Sequence, residues 1–88
     1  MKKQKYIKTF ENYKNCDIVV SIASYYIGEK FHYLGFTQDN NKKTNMDILN
    51  NMFSWVKDDG YDIDVEHFYN LNDASDFIYD ETDGKLKL

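Results

Sequence analysis

Eighty-eight residues make one domain, 1–88, with room for a single core, because a chain of this length buries only about 60–65% of the surface its unfolded form exposes. Hydrophobic residues at 42% and charged residues at 30% exclude wholesale disorder. Eleven basic residues, all Lys, against fifteen acids leave a net charge of −4, a poor balance for gripping nucleic acid, which rewards clustered Lys and bidentate Arg.

The chain begins with Lys-rich MKKQKYIK, followed by KQKYIKTFENY at 3–13, which fits either a short amphipathic helix or a first strand. Tyr6, Phe10 and Tyr13 fall three or four apart and lean it towards helix. The lone thiol, Cys16, excludes an intramolecular disulfide and fits a reducing cytosol. DIVVSIASYYI is β-branched and aromatic without a helix cap, and reads as a buried strand. Its apolar run at 18–27 resembles the core of a signal peptide. Glu11 and Asp17 interrupt the basic region before it, however, and ten residues are too few to span a bilayer. A cytoplasmic protein of a bacterial host cell is the expectation, with no membrane partner.

Gly28–Glu29 then separates this strand from FHYLGF at 31–36. Glycine at the first central position is what a two-residue type II′ hairpin requires. TQDNNKKTN at 37–45 reads as a loop, with Thr44 and Asp47 resembling a capping box. Leu49, Met52, Phe53 and Val56 recur at helical spacing, and Gly60 sits where a helix would stop, so a helix is expected over 46–58. Tyr61, Ile63 and Val65 alternate with Asp62, Asp64 and Glu66 as in a half-buried strand, although Val65, Phe68, Tyr69 and Leu71 would also share a helix face. The preferred reading is a short strand, a turn at NLND, and a helix from Asn72 to Glu81 with Ala74, Phe77 and Ile78 inward and Gly84 as its stop. The expected fold class is α+β: a small antiparallel sheet built on a β-hairpin, packed with two or three helices.

Charge is segregated along the chain. Residues 1–57 hold nine Lys against five acids, whereas residues 58–88 hold two Lys against ten acids. Within 58–83, DDGYDIDVEHFYNLNDASDFIYDETD, all ten acids occur and no Lys or Arg. Asp62, Asp64, Glu66, Asn70 and Asp73 match positions 1, 3, 5, 9 and 12 of a calcium loop. Yet His67 stands where the sharp turn needs Gly, and Asp73 where a bidentate Glu belongs, so no metal site is assigned. Cys16, His32 and His67 lie too far apart for a structural zinc site. The four glycines are scattered and make no phosphate loop. No catalytic residue and no cofactor is expected, and the protein is not read as an enzyme.

The bland reading of the acids is a solvated face, with the Phe residues and Trp55 spent on packing. Against it, a merely soluble surface mixes both signs, and carboxylates crowded in one segment repel one another. On a strand, Asp62, Asp64 and Glu66 would stand about 6.6 Å apart, a step comparable to that between backbone phosphates. Tyr25, Tyr61, Tyr69 and Tyr79 lie in or beside the segment, and Tyr is enriched among interface anchors. The absence of Pro, together with abundant Lys, Asn, Tyr and Ile, suggests the AT-rich genome of a low-GC bacterium or its phage.

With KDDGYDIDVEHFYNLND at 57–73, this composition resembles the phage-encoded anti-CRISPR proteins, some of which fill a nuclease's DNA-binding cleft with carboxylates. The resemblance implies a DNA-mimicking decoy surface on Asp58, Asp59, Tyr61, Asp62, Asp64, Glu66 and Tyr69; Asp73 and Asp76 extend the candidate partner-binding set. The implied partner is a basic protein, of the nucleic-acid-binding kind, which the decoy blocks. Two alternatives stay open: an immunity protein or antitoxin against a basic nuclease toxin, and a carboxylate-based divalent-ion-binding protein.

Overall fold

The computed structural model describes residues 18–88. The segment 3–13, whether helix or strand, and Cys16 lie outside them. Six elements follow in the order β1 (Val19–Ile27), β2 (Lys30–Asp39), α1 (Lys42–Met52), α2 (Ser54–Asp58), β3 (Asp64–Phe68) and α3 (Leu71–Glu81). The strands form one antiparallel sheet in the order β2-β1-β3, so the fold is α+β with β1 at its centre.

Alternation along β1 explains why six successive residues, Val19 to Ser24, are buried. Val20 and Ile22 point to α3, where they form a core cluster with Ala74 and Ile78, flanked by Phe31, Tyr33, Phe68 and Phe77. Ser21, on the other face, meets Asn45 of α1. The sheet is thus covered on both sides, which is what makes a continuous apolar run in a strand physically sensible. Fully burying side chains such as Ile22, Leu49, Val56 and Ile78 stabilises the fold by about 1.5–3 kcal/mol each before chain entropy is charged against it.

The β1–β2 connection is the expected two-residue turn. Ile27 pairs with Lys30, Gly28 has φ +65°, and Glu29 does not share the positive φ, which is the type II′ pattern. The segment 37–45 differs from a loop. β2 continues to Asp39, and only residues 40 and 41 intervene before α1. Thr44 is no cap, because Asn41 takes that position, its side chain accepting from the backbone N–H of Lys43 and Thr44.

The single helix expected over 46–58 is two helices broken at Phe53, whose φ of −116° leaves the helical region. The break lets the Phe53 ring press on β2 at Gly35, where an added Cβ would stand 3.1 Å from Phe53 Cζ. Leu49 and Val56 are buried as expected, but Met52, three residues after Leu49 in α1, is 60% exposed. Asn45 takes an inward position one turn before Leu49. Trp55, expected to pack, is 51% exposed.

In the acidic segment the strand begins later than Tyr61 and runs to Phe68, which removes the helical alternative for 65–71. α3 starts one residue earlier than expected, capped by the Asn70 side chain on the Asp73 N–H at 2.8 Å. Ala74 and Ile78 face inward as expected, Phe77 is half-buried, and Gly84 beyond the helix has φ +83°. Among the described residues, no helix is long and apolar enough to cross a membrane.

Candidate functional site

All ten carboxylates of 58–83 are exposed. They do not form one flat row. Register places them in groups around the edge strand β3. Glu66 lies opposite Ile22 and Phe68 opposite Val20, so Asp64, Glu66 and Phe68 share the face that carries α3. Val65 and His67 point the other way, towards α1. Asp62 precedes the strand and extends its line irregularly. Asp58 and Asp59 end α2, while Asp73 and Asp76 lie on the first half of α3.

The structure brings Asp64 and Glu66 together with a residue outside the expected set, Glu81. Tyr26 donates to Glu81 Oε1 at 3.1 Å. Partial burial, then this bond, then the charges of Glu81, Asp64 and Glu66 raise the phenol above its ordinary pKa of 10.0. Tyr26 therefore remains a neutral donor amid three carboxylates. Sequence spacing gave no signal for this group, since Tyr26 and Glu81 are 55 residues apart; the only pointer was the count of acids.

The two expected tyrosine anchors are in different situations. Tyr61 tilts against Tyr25 with ring centroids 5.6 Å apart, and is part of an aromatic group with His32, which stacks on Tyr25 at 4.9 Å. Tyr69 is 65% exposed at the far end of β3, with the Lys42 ammonium 4.9 Å over its ring. Tyr69 is thus already offered a positive charge by this chain, a contact worth about 0.5–1 kcal/mol at an exposed site.

A second polar group is buried. Asn45 Nδ2 donates to the Val19 carbonyl at 3.0 Å and to Ser21 Oγ at 2.9 Å, and Ser21 Oγ lies 2.6 Å from His67 Nδ1. Asn45 Oδ1 has no partner, so Nδ1 is the acceptor the Ser21 hydroxyl finds, which puts the ring proton on Nε2. A serine hydroxyl on an imidazole resembles an activated nucleophile. Ser21 is 0% exposed, however, sealed between β1 and α1, and no substrate reaches it. The group ties sheet to helix.

Burial first, and then the charge of Lys42, hold His67 below its ordinary 6.5, with Glu66 opposing. A His favoured neutral in the folded state stabilises it above the unfolded pKa, and that contribution is lost as pH falls below about 6.5 towards the folded value. Thermal melts at pH 7.5 and 5.5 should show a drop in Tm that His67→Gln largely removes. Equal drops in both proteins would refute this role.

The calcium-loop residues are pulled straight by β3, so Asp64 and Glu66 project from a strand and do not wrap an ion. Among the described residues, no group of three or more His, Cys, Asp or Glu side chains is placed to hold a metal. Calcium and magnesium should bind only in the millimolar range by calorimetry, without a large rise in Tm. A micromolar Kd would favour the ion-binding reading of these acids over any protein-binding one. Comparison with known proteins finds no matching family model, no matching curated protein and no matching solved structure.

Proposed function

We propose that this protein is a small inhibitor that binds a basic, nucleic-acid-binding protein and blocks it with a carboxylate- and Tyr-rich decoy surface, in the manner the anti-CRISPR resemblance implies. One observation carries the reading. All ten acids of 58–83 are exposed, and the ion pair among the described residues, Lys43 to Asp47 at 3.2 Å, lies outside the segment. A negative field whose carboxylates enter no ion pair among the described residues steers a positive partner and raises its association rate. Asp64, Glu66 and Glu81 gather around Tyr26 within it.

The test is affinity capture of the tagged protein from a low-GC bacterial lysate with mass spectrometry, followed by competition of the captured protein with duplex DNA. A basic nucleic-acid-binding protein that DNA displaces supports the reading. Capture of a nuclease toxin would make this an immunity protein. A partner that DNA leaves in place, or one that is not basic, sinks the decoy.

A further inference from the structure

Among the described residues, β2 is an edge strand with β1 on one side and no strand on the other. Along residues 30–34 that free edge forms the floor of an open groove of about 870 Å³. Tyr25 and Trp55 stand on the side of α1 and α2, and residues 80–86 on the side of α3. The two walls differ in chemistry. On the first, Trp55 is half exposed, and His32, stacked under Tyr25, has its Nε2 buried without a hydrogen-bond partner. On the second, Asp80, Glu81 and Asp83 are all exposed. Over the whole lining Glu29 joins these acids, against Lys30 and Lys85.

The usable edge has a defined length. A register shift between Ala23 and Ser24 leaves Leu34 as an extra residue on β2, and such a bulge ends regular pairing. From Lys30 to Leu34 the edge spans about 17 Å, room for roughly five residues of an added strand. The backbone groups of an edge strand are a template for another chain, and natural peptide recognition uses them.

We propose that this groove takes an extended basic segment of a partner protein as a fourth strand beside β2, with alternate residues apolar towards Trp55 and Lys or Arg towards Asp80 and Asp83. Alternation of side chains along a strand matches one apolar wall and one acidic wall. Charge argues against a second copy of this chain as the occupant, because two copies would bring like-charged walls together. The site lies on the opposite edge of the sheet from Asp64 and Glu66. It shares Glu81 with the proposed decoy surface, and strand pairing at residues 30–34 is the readout that belongs to the groove alone.

The probe is an acetylated, amidated, fluorescein-labelled seven-residue peptide alternating Lys with Val, measured by fluorescence anisotropy and by amide NMR on the full chain. Saturable binding is expected, with shifts and slowed exchange at residues 30–34. Methylating the alternate peptide nitrogens that face β2 should weaken it about tenfold, as strand pairing requires. Asp80→Asn with Asp83→Asn should weaken it about fivefold or more, and Asn accepts the φ of +55° at position 83. Neutralising Asp62, Asp64 and Glu66 should weaken it less than the Asp80 and Asp83 exchange does, since none of those three lines the groove. Absence of saturable binding, equal affinity of the methylated peptide, shifts that map to β3, or a β2-edge dimer of the free protein would each overturn the proposal.

Discussion

Replacing Asp62, Asp64 and Glu66 together by Asn, Asn and Gln is expected to weaken binding to the basic partner at least about tenfold, a loss of about 1.4 kcal/mol. The variant should fold at least as stably as the parent. All three side chains are exposed, none enters an ion pair among the described residues, and the amides keep their shapes. Two of them, Asp64 and Glu66, also stand near Glu81 around Tyr26, so neutralising them relieves repulsion within that group. The loss should fall on the association rate and should fade as salt rises, because opposite charges act mainly by steering and are screened beyond about 10 Å at 0.1 M salt. Truncating Tyr69 should act instead on the dissociation rate, as a desolvated anchor does. Surface plasmon resonance across a salt series, with thermal melts as the folding control, separates these outcomes. Unchanged affinity with a salt-independent association rate would reduce the acids to a solvated surface.

Those parts of the fold governed by local chemistry were legible in advance. Gly28 announced its turn because a positive φ is needed there and glycine supplies it. The β-branched run of β1 and the Ala74, Phe77, Ile78 spacing of α3 followed the periods of 2 and 3.6. The misplacements have tertiary causes. Polar Thr37 to Asp39 read as loop, yet they pair with Val19 to Ser21, whose own pairing decides the matter. The break at Phe53 has no Gly or Pro to signal it; it goes with the packing of its ring on Gly35 of β2, a contact remote in sequence. The acids were visible as a count, but their grouping was not. Glu66 and Glu81 come to one side of the sheet only because β3 pairs with β1 in this register and α3 packs on the face that Ile22 shares with Glu66, a relation no spacing within 58–83 encodes.

The Asn45, Ser21 and His67 group was missed for the same reason, and it carries the largest expected effect on stability. Asn45 lies among exposed neighbours in a polar stretch, and only its burial at 0% exposure marks it. Its amide faces the Val19 carbonyl, the Ser21 hydroxyl and, at 3.4 Å, the Asp39 carbonyl, all acceptors. Asn45→Ala strips donors from buried acceptors and should cost about 1–3 kcal/mol. Asn45→Asp should cost more, about 3 kcal/mol or above at pH 7, because it sets a carboxylate against carbonyl oxygens away from water. That variant must fold with its new carboxyl protonated, so its folded pKa is raised above the unfolded value of about 3.9. A raised carboxyl pKa gives stability that is present at low pH and lost as pH rises. Between pH 7 and 5 the Asn45→Asp protein should therefore gain stability relative to Asn45→Ala, while His67 pulls both down together. Urea unfolding of the parent and the two variants at both pH values measures this. Parallel losses in the two variants at every pH would mean that position 45 is wet, and that the amide does not hold the sheet to α1.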